Sequence, residues 1–414
     1  VNAADASNYA EIRARLYLMT GQTNKALNEL RRLCNRFPEV NEFRLKYAGT
    51  LLDSEKYDEA YEQLQLIART DSTSGLYHFA MASYYLGTNE KEAAINEMIK
   101  VAADKDVAPE QKLPIILRFI GTDTDEEDAP KKEYNILLEK ILASHPTEVD
   151  ARLFYAELLE MQGDSIHAME VCRPITEFAP KEERAWKFML GRAVTGQNHT
   201  EVHRISEQAR QYLPGVPLFY LYDAISYYIE KKGSEAKHIL QEALEHIDAE
   251  KDPNGLSDIY SQLGDLAYEE NKPEEAFANY EKALELNPRN VGVLNNYAYF
   301  LAKEGGDLAK AERMAAQCVK LLPDNAVSLD TYGWVFFLRE NYTLAKLYIE
   351  KALGLAADNP DADVVEHHGD VLYMLGEKEK AMLEWKRAKE IGGGGSPMLD
   401  KKIEQGKYIP EKKK

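Results

Sequence analysis

Residues 257–290 read SDIYSQLGDLAYEENKPEEAFANYEKALELNPRN. Within this 34-residue stretch Tyr260, Leu263, Gly264, Ala276, Tyr280, Ala283 and Pro288 occupy positions 4, 7, 8, 20, 24, 27 and 32. Each position has a physical task. Small residues at 8, 20 and 27 let two paired helices approach closely, the large residue at 24 fills the space beside them, and proline at 32 stops the second helix.

Stepping along the chain by the same period finds the pattern repeatedly. A unit from Ser7 carries Ala26, Leu30, Leu33 and Pro38; one from Asn41 carries Ala48 and Ala60; one from Gly75 carries Ala82 and Ala94. The register resumes at Val149 (Tyr155, Ala156, Gly163, Ala168, Pro180), Glu183 (Trp186, Ala209, Pro214) and Pro217 (Ala224, Ala236, Ala243). Beyond Asn290 come units from Val291 (Tyr297, Ala298, Ala311, Pro323), Ala326 (Gly333, Ala345, Ala352) and Ala362 (Gly369, Ala381, Ala388).

This spacing resembles the tetratricopeptide repeat. A two-helix unit cannot bury its apolar stripe alone, so neighbours must stack. The expected fold is all-α: a right-handed α-solenoid of about eleven helix-turn-helix units, one of them degenerate, closed by a C-terminal capping helix. The expected blocks are 7–108 (units 1–3), 109–148 (irregular, with the acidic loop GTDTDEEDAP, where only Leu138, Ile141 and Pro146 keep the spacing), 149–250 (units 5–7) and 257–395 (units 8–11). Residues 396–414 form the capping helix, from about Met398 to Gln405, and a basic tail.

Composition narrows the function. The 414 residues carry 70 acidic against 51 basic side chains, a net charge of −19 that repels phosphate backbones and anionic lipid, so nucleic acid is not an expected partner. The last stretch, DKKIEQGKYIPEKKK, reverses the sign with six lysines against three acids. No window reaches the roughly eighteen apolar residues of a membrane span, so no direct insertion is expected. Cys34, Cys172 and Cys318 are isolated in the sequence and imply neither a disulfide framework nor a zinc site. The chain begins at Val1 rather than Met, consistent with a leader already removed.

Chemistry-bearing motifs are few. His199 and His203 in HTEVH share a helix face at a chelating spacing, but HTEVH is not HExxH and no third ligand is evident. Adjacent His367 and His368 point about 100° apart on a helix. Asp123, Asp125, Glu127 and Asp128 depart from a calcium loop because Asp128 stands where glycine is needed and Tyr134 where glutamate is needed. Phosphate cradles and nucleophile elbows are absent, so no catalytic residue, metal or cofactor is assigned. Asn198 and Asn341 lie in N-x-T sequons.

The resemblance implies that unit positions 2, 5, 9, 12 and 13 line an inner groove. For the last four units these include Asp258, Ser261, Asp265 and Tyr268, then Asn295 and Tyr299, then Asp330, Trp334, Phe337 and Leu338, and finally Asp363, Glu366, Asp370, Tyr373 and Met374. The stretch DTYGWVFFLRE, 330–340, is apolar almost all round a helix, so its second face must be covered. Either Trp334 and Phe337 point into the groove, with Asp330 one turn before Trp334, or they pack on the neighbouring unit. Asn295, Tyr299, Asp330, Trp334, Phe337, Glu366, Asp370 and Tyr373 are the expected partner-binding groove, suited to a peptide through rings, an Asn amide and carboxylates. Leu218, Leu221, Ile225 and Tyr228, followed by Ile229, form a second, apolar patch for docking, a folded-back segment or another copy. The chaperone-carboxylate clamp of some such proteins needs a basic pair, and Ser261, Asp265, Asn296, Val327 and Thr331 do not supply it.

Residues 291–391 resemble, more narrowly, repeat proteins of the Gram-negative cell envelope, through NNYAYFLAKEGGDLAKAE, SLDTYGWVFFLRENYTLAKLYIEKAL and EHHGDVLYMLGEKEKAMLEWKRA. The resemblance implies a scaffold for a protein or peptide partner in assembly of an envelope complex, periplasmic or lipid-anchored. A self-associating structural subunit is the alternative, and a regulatory arm of an enzyme or a cytoplasmic site the less favoured ones.

Overall fold

The computed structural model describes residues 3–123, 134–392 and 394–410. All regular structure among them is helical. The chain divides into two compact units, Val1–Thr195 and Gly196–Lys414.

The first unit holds helical hairpins α1 (Ala3–Met19) with α2 (Thr23–Arg36), α3 (Asn41–Asp53) with α4 (Tyr57–Ala68) and α5 (Gly75–Gly87) with α6 (Lys91–Ala103). It continues with α7 (Pro109–Asp123), α8 (Asn135–Ser144), α9 (Val149–Met161), α10 (Ser165–Cys172), α11 (Ile175–Phe178) and α12 (Glu183–Thr195). Pro174, which has no N–H to donate, separates α10 from α11. The second unit holds α13 (His199–Tyr212), α14 (Pro217–Ile229), α15 (Gly233–His246), α16 (Pro253–Glu269), α17 (Pro273–Leu286), α18 (Val291–Lys303), α19 (Leu308–Leu321), α20 (Ala326–Leu338), α21 (Tyr342–Leu355), α22 (Ala362–Met374), α23 (Lys378–Ile391) and α24 (Leu399–Gln405). Within each unit successive helices pack on one another, except that α10 and α11 both pack on α12, and in the second unit α14, α16, α18, α20 and α22 also lie side by side as a wall of first helices. This is the packing of an α-solenoid.

The repeat register is visible in the backbone. Among the described residues, nine hairpin turns each contain one residue with positive φ, at Gly21, Glu55, Asn89 and Gly163, and at Lys231, Asn271, Gly305, Glu340 and Gly376; Gln197, between α12 and α13, has one too. In three hairpins of the second unit, glycine at position 8 makes room for the residue at position 24. A Cβ on Gly264 would lie 2.5 Å from the Tyr280 ring, one on Gly333 2.6 Å from Ile349, and one on Gly369 2.5 Å from Trp385. Tyr280, Ile349 and Trp385 are fully buried in those spaces, and so are the alanines at positions 20 and 27 of the same units.

Both sequons have a local role. The Asn198 side chain accepts from Glu201 N–H and that of Asn341 from Leu344 N–H, capping α13 and α21. Helix α16 starts four residues before the Ser257 unit boundary, because Asp252 caps it by accepting from Gly255 N–H and Pro253 fits the first turn. In the degenerate unit Leu138 and Ile141 are buried, and the ammonium of Lys112, also buried, donates to the carbonyls of Ala102, at 3.2 Å, and Asp104 at the end of α6. Asp125, Glu127 and Asp128 of the acidic loop, and the last residues of the basic tail, lie outside the described residues.

All three cysteines are free and buried; burial pushes the Cys34 thiol up to about 11 and the Cys172 thiol up to about 12, so neither is a ready nucleophile.

Candidate functional site: the wall of first helices

The expected groove residues divide into a filled part and an open part. At the C-terminal end the chain covers its own wall. The segment after α23 turns at Gly395, whose N–H donates to Asp363 Oδ1 at 2.5 Å, and the N–H and hydroxyl of Ser396 both donate to the Glu366 carboxylate at 2.5 Å. Helix α24 then lays Leu399, Lys402 and Ile403 inward, the first two buried. Lys402 Nζ donates to Glu366 Oε1 and Asp370 Oδ2, each at 2.6 Å, with its side chain only 4% exposed. Asp370 also accepts from Trp385 Nε1 at 2.9 Å, and the Tyr408 ring meets Phe337 edge-on at 5.4 Å.

The second face of DTYGWVFFLRE is therefore covered from within the chain. Tyr332 and Phe336 pack against Tyr348, inside their own hairpin. Trp334 stacks on Phe337 at 4.7 Å and on His367, from α22, at 4.0 Å. The His367 Nδ1 lies 3.0 Å from both oxygens of the buried Asp330 carboxylate. Trp334 and Phe337 thus pack on the neighbouring unit and on the tail rather than facing an empty groove.

The charges here are tuned by one another. Burial pushes the Asp370 carboxyl up to about 6, against the pull of Lys402. Glu366 is also buried, but Lys402 and the Ser396 bonds outweigh burial and hold its carboxyl below the usual range. Burial disfavours charged His367, yet Asp330 outweighs it and holds the imidazole above its ordinary 6.5. Asp330→Asn should leave the burial and remove the opposing charge. The His367 titration followed by NMR is expected to move downward, with Asp370 and Asp363 still opposing burial; an unmoved midpoint would show that Asp330 is not the cause.

Two further expected residues lie at the rim of this cluster. Tyr299 reaches its edge, 6.5 Å from the His367 ring, and Tyr373 packs on Trp385 at 5.7 Å. Asn295 does not line the open part but adjoins Asn296, which does: its Nδ2 donates to Asn296 Oδ1 at 3.3 Å, and its own Oδ1 is buried without a hydrogen-bond partner among the described residues.

That open part is a cleft of about 290 Å³ along α14, α16 and α18, with Tyr228, Asp265, Glu269, Asn296 and Phe300 on its walls. Asp265 Oδ1 accepts from the Tyr280 hydroxyl at 2.6 Å and from Asn296 Nδ2 at 3.0 Å; burial nevertheless pushes the Asp265 carboxyl upward. Glu269 accepts from the Tyr228 hydroxyl, and Phe300 stacks on Tyr268 at 3.8 Å. Of the apolar patch, Leu218, Leu221 and Ile225 are half-buried, with Leu221 against the core, while Tyr228 and Ile229 are exposed. The sequence places Asp265 and Tyr268 on the groove face and Asn296 at an inner clamp position, but does not single out Glu269; Glu269 and Asn296 extend the stripe of Asp265 and Tyr228 only once α14, α16 and α18 are side by side.

The paired histidines do not form a metal centre with each other. His199 Nδ1 is 2.7 Å from Ser226 Oγ, whereas His203 Nδ1 is 2.5 Å from Asp223, itself bonded by Arg210 at 2.7 Å. No cluster of three metal-ligating side chains occurs among the described residues. No described helix is long and apolar enough to cross a membrane.

Comparison with known proteins adds the following. Two family models described as tetratricopeptide repeat match residues 257–290 and 279–313. The type IV pilus assembly protein PilF of Pseudomonas aeruginosa is 28% identical over 193 residues, 45% of this chain and 71% of that protein. TPR repeat-containing protein PA4667 of the same organism is 25% identical over 227 residues, 54% of this chain but only 36% of the relative's length. Among solved structures, the P. aeruginosa PilF structure matches with a TM-score of 0.37 at 25% identity, covering 46% of this chain and 86% of that one. Cut9 with Hcn1, from the APC/C hetero-tetramer, matches with a TM-score of 0.49 at 14% identity over 97% of this chain and 90% of that one. With the register, the turns and the glycine-to-ring packing in agreement with the matched models, the chain carries tetratricopeptide repeats.

Proposed function

We propose that the chain is a non-catalytic scaffold that binds a protein segment along its first-helix wall, in the cleft of α14, α16 and α18, during assembly of a cell-envelope complex. The observation that carries this reading is the cleft itself: exposed Tyr228 and half-buried Phe300 supply apolar area, Glu269 and Asp265 supply negative charge, and the Asn296 amide lies on the same wall. An extended peptide offers the matching groups, with backbone N–H donors for the amide and basic side chains for the carboxylates. The envelope setting is supported by the 28% identity to a pilus assembly protein over part of the chain.

Peptides selected from a display library against the full chain test this. Tyr228→Ala with Glu269→Lys should weaken their binding at least about tenfold, the scale of losing a hot-spot ring and a complementary charge. Because Tyr228 is exposed, the melting curve should barely move. Binding untouched by both changes would remove the cleft from consideration. Trp334→Ala and Phe337→Ala, the changes the sequence alone would recommend, confound binding with packing, since those rings hold His367 and Tyr408.

A further inference from the structure

The most acidic and aromatic part of the wall, on α20 and α22, is already occupied, and the way it is occupied identifies what it reads. A capping helix needs only to cover the apolar face of the last hairpin. Here the strongest polar bonds of the terminal segment run instead to α22, the groove-side helix, through Asp363, Glu366 and Asp370. Burying two carboxylates one turn apart is costly unless a cation sits between them, and Lys402 does, at 2.6 Å from each. The aromatic floor beside them, Trp334 and Phe337, takes Tyr408, whose ring also lies 5.3 Å from the Lys402 ammonium.

Beyond the contacts of Gly395, Ser396, Leu399, Lys402, Ile403 and Tyr408, little holds the occupant in place. Helix α24 is seven residues long, too short to be stable on its own, and Lys401, Glu404, Gln405 and Lys407 are exposed. Gly392 and Gly395 on its approach hold φ of +69° and +96°, which a side-chain-bearing residue rarely adopts.

We propose that the groove of α20 and α22 is a lysine-reading peptide site whose resident ligand is the chain's own segment from Gly395 to Tyr408, and that a partner segment bearing a lysine with an aromatic ring six residues on displaces it. This is independent of the cleft at α14, α16 and α18, because it uses different helices and different side chains. The resident segment acts as a tethered competitor at an effective concentration on the order of millimolar, so an incoming segment binds weakly until the tether's own contacts are reduced.

The probe is a fluorescent peptide of residues 395–410, GSPMLDKKIEQGKYIP, titrated into the full chain and into the full-length Leu399→Ala, Tyr408→Ala variant. Those changes weaken the resident segment without leaving Glu366 or Asp370 unpaired. The variant should bind the peptide at least about tenfold more tightly than the wild type, because its own segment competes less. A peptide carrying Lys402→Gln should bind the variant at least about tenfold more weakly, having lost its charge-assisted bonds. Equal affinity of variant and wild type, or of the two peptides, would overturn the proposal. Should the variant melt too early to titrate, hydrogen exchange on the wild-type chain decides: excess peptide should speed exchange of the 399–405 amides while α22 stays protected, and unchanged exchange overturns the idea. Tyr228→Ala should alter neither result, which keeps the two sites distinguishable.

Discussion

Lys402→Ala is expected to destabilise the last hairpin by about 3–5 kcal/mol, the usual cost of stranding buried charge. Two carboxylates, Glu366 and Asp370, share this ammonium, and both side chains are about as buried as it is. Protonation can relieve part of the penalty, because burial already pushes the Asp370 carboxyl up to about 6 and loss of Lys402 pushes it further. The loss should therefore be largest above neutral pH and shrink as pH falls through that range. Chemical denaturation followed by tryptophan emission, to which Trp334 and Trp385 of the last two hairpins contribute alongside Trp186, against far-UV circular dichroism would show an early transition confined to the end of the array, as nearest-neighbour coupling in repeats requires. A companion with Lys402→Met, Glu366→Gln and Asp370→Asn should recover much of the loss, since it removes the stranded charges along with the cation. A single unshifted transition for Lys402→Ala would mean that the tail contributes nothing to the wall.

Trp385→Ala should cost a similar amount, about 3–5 kcal/mol. The indole is fully buried, fills the space that Gly369 leaves open, and donates to Asp370 at 2.9 Å. Truncation leaves a cavity against a glycine, which has no side chain to relax into it, and strands one carboxylate oxygen. Trp385→Phe should lie between, keeping most of the packing and losing the donor. Equilibrium denaturation with two probes measures both; a loss for Trp385→Ala under about 1 kcal/mol would contradict the glycine-to-ring account of this hairpin.

The fold was legible because its rules are local. Position 8 is glycine where position 24 is a buried ring, as in Gly264 with Tyr280 and Gly369 with Trp385, and the small residue at position 8 can be read from spacing alone. The terminal helix was also legible, from about Met398 to Gln405 in sequence and Leu399 to Gln405 in structure. Its destination was not. Lys402 is separated from Glu366 and Asp370 by 36 and 32 residues, so nothing local pairs them, and the basic tail reads as an appendage to an acidic body. One signal was available: Leu399, Lys402 and Ile403 share one helix face, and a lysine on an apolar face demands a buried anion. Likewise Asp330, Trp334 and Phe337 were grouped correctly on one helix, but their partner His367 comes from the next hairpin and closes the space that position numbers alone leave open. The cleft of Tyr228, Asp265, Glu269 and Asn296 draws on three hairpins and exists only after stacking.

The central claim is that a protein segment lies along the first helices of the second unit. Hydrogen exchange of the full chain, with and without a saturating selected peptide, tests it most directly. The account predicts slowed exchange in α14 near Tyr228, α16 from Gln262 to Glu269 and α18 from Asn295 to Phe300, with α15 and α17 unchanged. Protection on α15 and α17 instead, or none on the first helices, would contradict it.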